Sequence, residues 1–281
     1  MQRNSVSRIS IIKSMGAYLP TLRRLSLTAV AVSAFATAAV AADSAGFGES
    51  GNEHWVGTWG TALHAPDLGV PGLANTGFNN QTLRQIVHTS VGGHKVRVRF
   101  SAFGANAVVI GAAHIALHAG GAMIMPMSDR TLTFGGKPSI TIPAGALVLS
   151  DPVNLEVPAL SDLAVSIFVP GDTGPATWHF EARQTLYVSS KGDFTASAAM
   201  PVDSTRPTTL AWFWLAGVDV VTTRETGGIV TFGDSITGGS QSTPDANKRW
   251  PDQFARRLMD HPGSQKMGVN EQSNRGKQNP S

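Results

Sequence analysis

The stretch Gly228-Ile229-Val230-Thr231-Phe232-Gly233-Asp234-Ser235-Ile236-Thr237-Gly238-Gly239 runs from a short apolar segment into an abrupt turn. Ile229 to Phe232 is apolar at nearly every position, the pattern of a central parallel strand buried on both faces. A polar loop, Gly238 to Arg249, leads to Trp250-Pro251, after which Trp250, Phe254 and Leu258 fall at i, i+4 and i+8 on one face of a predicted helix. Proline stands in the first turn of that helix, and His261-Pro262-Gly263 ends it. Strand, turn, loop and helix make one βα unit with Ser235 at the carboxyl edge of the strand, where open α/β sheets hold reacting groups. Lys266 to Asn270 is expected to open a second strand, and Glu271 to Ser281, without an aliphatic or aromatic residue, reads as a disordered tail.

Upstream, from His54 to about Val221, apolar residues recur at period two and Gly, Pro, Asn and Asp punctuate at short intervals. In Lys95-Val96-Arg97-Val98-Arg99-Phe100 the apolar residues share one face, and the three cations share the other as a solvated surface. Because this segment follows Gly92-Gly93, Thr82 to Ser90 and Lys95 to Ser101 are expected to form a hairpin. Further strands are predicted at Ala107–Leu117, Thr131–Phe134, Ser139–Ile142, Ala146–Leu149, Leu163–Val169, Thr185–Ser189 and Ala211–Val220. Many short strands separated by turns predict a mainly β sandwich or jelly-roll domain, placed at residues 50–225, ahead of the α/β fragment at 226–281.

Arg3, Arg8, Lys13, Arg23 and Arg24 precede an apolar run from Leu25 to Ala41 that ends in Ala39-Val40-Ala41. This is the pattern of a signal peptide over residues 1–41 and predicts a secreted or periplasmic protein. The run is too short and too rich in Ser and Thr for a membrane span, so no stable anchor is expected once the leader is removed. Arg23-Arg24 leaves both general and twin-arginine export open. The leader holds five of the 22 basic residues and none of the 19 acidic ones, so the remainder carries 17 against 19, net −2. Without a basic stripe carrying interleaved aromatics, no nucleic-acid partner is expected. With no cysteine, the chain has neither disulfides nor thiolate metal sites and must be stabilised by an ordinary core.

His114 and His118, four apart, share a face in a strand or a helix but lack a third metal ligand nearby, so no metal is expected. Gly135-Gly136-Lys137 reads as a hairpin turn rather than a phosphate loop. Trp178, Phe180, Trp212 and Trp214 offer either core aromatics or a sugar-stacking platform, with core favoured.

The block Thr231-Phe232-Gly233-Asp234-Ser235-Ile236-Thr237 resembles that of the SGNH, or GDSL, hydrolases, a family of secreted esterases and lipases. Arg249-Trp250-Pro251 and Ala255-Arg256-Arg257-Leu258 are similar to the region after that block in bacterial members, and His54-Trp55-Val56-Gly57-Thr58-Trp59 to the start of a β domain that precedes it in some of them. The resemblance implies a flavodoxin-like α/β hydrolase domain and acyl transfer, with a small acyl ester or acetylated carbohydrate as substrate and no cofactor. It further implies Ser235 as nucleophile and oxyanion N–H donor, and Gly233 and Asp234 as the supporting turn. Gly276, within Ser273-Asn274-Arg275-Gly276-Lys277, is the candidate for a further oxyanion donor. The family's Asp-x-x-His block has no counterpart, since no Asp after Ser235 has a His three positions on; Asp260 and His261 are adjacent, and no catalytic His or Asp is assigned. The asparagine block has no match either, so the chain reads as the carboxy-terminally truncated front part of such an esterase, with turnover impaired or absent. The alternative expectation is a β domain that binds carbohydrate or a surface partner without catalysis, and a further one is a non-functional truncation product.

Overall fold

Alternation at period two builds most of the molecule. The computed structural model describes residues 53–66, 75, 77–104, 106–206 and 208–273, which fall in one compact unit, Phe47–Ser281. The predicted leader, Gly276 and the tail beyond residue 273 lie outside the described residues. In chain order the strands are β1 (Glu53–Gly60), β2 (Gln81–His88), β3 (Gly93–Ser101), β4 (Val108–Ile110), β5 (Ala112–Gly120), β6 (Met123–Ile124), β7 (Arg130–Thr131), β8 (Ile140–Ile142) and β9 (Leu147–Leu149). They continue as β10 (Val153–Val157), β11 (Asp162–Val169), β12 (Trp178–His179), β13 (Leu186–Lys191), β14 (Trp212–Phe213), β15 (Leu215–Thr223), β16 (Gly227–Gly233) and, after helix α1 (Trp250–Asp260), β17 (Met267–Ser273).

Two antiparallel sheets dominate: β1-β15-β3-β10 with β9 on β3, and β13-β2-β11-β5-β6 with β7 on β5. Their inward residues share one core, in which Val96, Val98 and Phe100 of β3 and Val218 and Val220 of β15 join Leu83 and Val87 of β2, Ile115 of β5, and Leu163, Val165 and Ile167 of β11. Trp212 and Trp214 are fully buried in that core, with Trp178 and Phe180 packed beside them, so these aromatics are core rather than a sugar platform. Gly135 and Gly136 turn the chain at positive φ between Phe134 and Lys137, as the hairpin reading expects. Among the described residues no helix is long and apolar enough to cross a membrane.

The predicted hairpin of Thr82–Ser90 with Lys95–Ser101 does not form: β2 pairs with β11 and β13, whereas β3 pairs with β15, β10 and β9. Every residue of β2 is buried, so it is a central strand of its own sheet. Gly92-Gly93 carries the chain between the sheets, passing so close to the Val157 and Val221 carbonyls that a Cβ at either glycine would collide. Nor is the cationic face of β3 simply solvated. Arg97 and Arg99 converge on Asp219 at 3.1 and 3.2 Å, and Arg97 lies 4.3 Å over the Trp55 ring. Two predicted strands are broken in the structure. Ala107–Leu117 divides at Gly111, whose N–H donates to Phe168, and Ala211–Val220 divides at Trp214, which takes a φ of 54°.

The β16-α1-β17 segment forms the expected parallel unit, with Ile229 beside Val269 and Gly233 beside Ser273. Three details differ from expectation. First, β17 continues through Glu271, Gln272 and Ser273, because the parallel ladder to β16 and burial of Glu271 and Ser273 hold these polar residues in the strand. Second, β16 is buried on one face only: Val230 is 62% and Phe232 84% exposed. Among the described residues β16 pairs only with β17, against which α1 packs, so nothing covers the outer face. Third, α1 buries Pro251 and Ala255 rather than the Trp250-Phe254-Leu258 stripe, leaving Trp250 exposed. The unit is fastened to the large sheets through β17: Val269 N–H donates to Ser90 Oγ at 2.8 Å and Asn270 Nδ2 donates to the Gly57 carbonyl at 3.0 Å.

Candidate active site around Ser235

The chain leaves β16 through a set of nested turns. Asp234 Oδ1 accepts from Ile236 N–H at 2.9 Å, the Asp234 carbonyl accepts from Gly238 N–H at 3.1 Å, and the Ser235 carbonyl accepts from Ser240 N–H at 2.8 Å. Asp234 is thus occupied in the turn. A Cβ on Gly233 would overlap Thr237 Oγ1, and Gly239, at φ +85°, lies under the crossing Arg249 side chain, so both glycines are required by close approach. Ser235 is half-buried, and its hydroxyl has no hydrogen bond among the described residues.

The loop after this turn is strapped to the segment that precedes β13. Arg183 Nε donates to the Ser242 carbonyl at 2.7 Å, Thr185 donates from N–H and Oγ1 to the Asp245 carboxylate at 2.6 Å each, and Gln184 Nε2 donates to Asn247 Oδ1 at 2.6 Å. Asn247 Nδ2 donates in turn to Asp162 Oδ1 at 2.9 Å. Burial opposes charge on Asp162, but the His118 imidazole, 4.0 Å away, and hydrogen bonds from His88 and Asn247 outweigh it and hold the carboxyl well below its usual range. The same contact lifts His118 above the ordinary histidine range against the effect of burial. His114 is held separately by Asp129 at 2.9 Å, so the two histidines of β5 face different carboxylates. Among the described residues no group of three or more His, Cys, Asp or Glu is placed to hold a metal ion.

The strapping brings Ser235 against groups that are distant in sequence. Ser235, Gly238 and Ser273 line a small cavity together with His64, His179, Phe180 and Glu181 of the β domain. Its volume of about 10 Å³ is the space of one water molecule. His179, on β12 and 2% exposed, faces the Ala62 carbonyl through Nδ1 at 2.7 Å. Since a carbonyl only accepts, Nδ1 carries the proton and Nε2 is left with a lone pair. That Nε2 is buried without a hydrogen bond, 3.8 Å from Glu271 Oε1. The ring is held between His64, stacked at 5.5 Å, and Trp212 at 5.6 Å.

Burial lowers the His179 pKa to about 4, with the Arg249 charge adding to the effect and the Ala62 carbonyl and Glu181 opposing it, so the imidazole is neutral at pH 7. Burial raises Glu271 to about 7, against the pull of Arg249 and of the Ser273 hydroxyl that donates to it. Arg249 is itself buried, donating to Asp252 at 2.7 Å and to the Ala182 carbonyl at 2.8 Å, and sits over the Trp212 ring at 5.1 Å.

Of the residues singled out in the sequence, Gly233, Asp234 and Ser235 meet in one turn, while Gly276 falls outside the described residues. Asp260 and His261 sit exposed at the end of α1, where His261 Nδ1 contacts only the neighbouring Pro262 carbonyl. Sequence reasoning missed His64 and His179, which reach the cavity from the β domain. The only local signal was that His179 interrupts an aromatic run, Trp178-His179-Phe180. No family model and no curated protein matches the chain.

Proposed function

We propose that the chain is an exported serine ester hydrolase of the SGNH type, with Ser235 as nucleophile on small acyl esters or acetylated carbohydrate. In this reading the two antiparallel sheets are a sandwich or jelly-roll domain, and β16-α1-β17 is the opening of a flavodoxin-like α/β domain. The observation that carries it is the placement of Ser235: a free hydroxyl on a tight turn at the carboxyl end of a parallel strand, lining a cavity with two imidazoles. A serine hydroxyl is a weak nucleophile until a base takes its proton. The expectation of impaired turnover rests on the missing Asp-x-x-His and asparagine blocks, and the two imidazoles that line the cavity are groups of the type a base requires. The Ser235 backbone N–H, at the same turn, is the donor for the developing oxyanion.

Turnover of a simple aryl acetate by the purified chain, beside Ser235→Ala, tests the reading. Hydrolysis above the uncatalysed rate that falls to background in the variant is expected. Equal rates for the two proteins would refute it.

A further inference from the structure

His179 is an imidazole closed off from solvent, its Nδ1–H donated to a backbone carbonyl and its Nε2 buried without a hydrogen bond. Leaving a buried acceptor unpaired costs roughly 1–3 kcal/mol, and folded proteins mostly avoid it. The cavity beside it is lined by Ser235 and has the volume of one water. A water held there would have both His179 and Ser235 among its neighbours, since both line the cavity, and general bases act through one such water.

We propose that His179, a residue of the β domain, is the proton acceptor for Ser235, acting through a single water in the shared cavity. The inference rests on the serine hydrolase reading above and adds that the site is assembled from both parts of the molecule. As Ser235 Oγ bonds to the ester carbonyl carbon, its proton passes through the water to His179 Nε2 and the carbonyl electron pair moves onto oxygen. Collapse of this intermediate breaks the bond to the alcohol oxygen, which takes the proton back from His179. A second water then attacks acyl-Ser235, losing its proton by the same route. Ser235 Oγ leaves with that proton, and one ester plus one water has become one acid plus one alcohol.

The Ala62 carbonyl plays the orienting part, fixing the tautomer that leaves Nε2 unprotonated. The charged and titratable groups around the ring are His64, Glu181, Arg249 and Glu271, contributed by four separate segments. Of these, Glu271 lies 3.8 Å from Nε2 and is the counter-ion for the transient imidazolium once it ionises.

The test is the rate of fluorophosphonate labelling of the whole chain, of Ser235→Ala and of His179→Gln, whose amide keeps a donor for Ala62. Labelling of the unmodified chain, none in Ser235→Ala, and a rate at least about 100-fold lower in His179→Gln are expected. Nitrogen NMR of histidine in the unmodified chain removes dependence on the variant's folding: His179 Nε2 should begin unprotonated and shift when Ser235 is phosphonylated. Labelling of Ser235 with an unmoved His179 resonance, or at an undiminished rate in a folded His179→Gln chain, overturns this inference alone. Absence of labelling in the unmodified chain overturns it together with the hydrolase reading.

Discussion

Replacing Glu271 by Gln should make the protein more stable as pH rises, by an amount fixed by the burial of one carboxyl. Glu271 is 7% exposed and its pKa is raised from 4.5 to about 7. Between these values the folded protein keeps a proton that the unfolded chain has lost. Stability therefore falls with rising pH across the window and levels off above it. A window of about 2.5 pH units at 1.36 kcal/mol per unit amounts to about 3 kcal/mol. Gln has the shape of the protonated acid and still accepts from Ser273, but it has no charge to desolvate. Urea unfolding of both proteins at intervals from pH 4 to pH 8 measures the difference directly. The two should be similar below pH 4.5 and diverge to about 3 kcal/mol in favour of Glu271→Gln by pH 8. His179 titrates in the opposite sense, since its pKa lies below the ordinary 6.5 and its contribution is lost as pH falls toward 4. That contribution has levelled off well above the unfolded value of 6.5, so the difference at pH 8 reads Glu271. A gap that stays constant within about 1 kcal/mol over the whole range would refute the placement of Glu271 in a low-dielectric site.

Two further substitutions probe the scaffold and the turn. Arg84 is fully buried and donates to Ser166 Oγ and to the carbonyls of Ala122, Phe194, Thr195 and Ser197. Arg84→Ala leaves these carbonyls without their donor and should cost about 4 kcal/mol or more in urea unfolding; a loss below about 1 kcal/mol would contradict the account. Gly233→Ala places a methyl group against Thr237 Oγ1. It should abolish aryl acetate turnover while costing about 1–3 kcal/mol of stability, and unchanged turnover would show that the turn geometry is not needed.

The period-two strands were legible because each one's burial follows from its own residues: Val96, Val98 and Phe100 lie in the core as their alternation requires. Pairing was less legible. Gly92-Gly93 suits a hairpin and an arch between sheets equally well, and only the burial of β2 on both faces decides between them. An apolar run such as Ile229–Phe232 signals a strand, yet its exposure depends on which elements cover it, and Phe232 is left open. The Ser235 turn could be read because Gly, Asp and Ser act locally. His179 could not, since its role depends on contacts with Ala62, Glu271 and the Ser235 cavity that no sequence spacing encodes.

The central claim is that Ser235 is an activated nucleophile. Its most direct test is mass spectrometry of peptides from the fluorophosphonate-treated chain, to locate the modified residue. The account predicts one phosphonylated site, Ser235, in a protein that is unmodified when denatured before treatment. A phosphonate on other residues, or none on Ser235 in the folded protein, would contradict it.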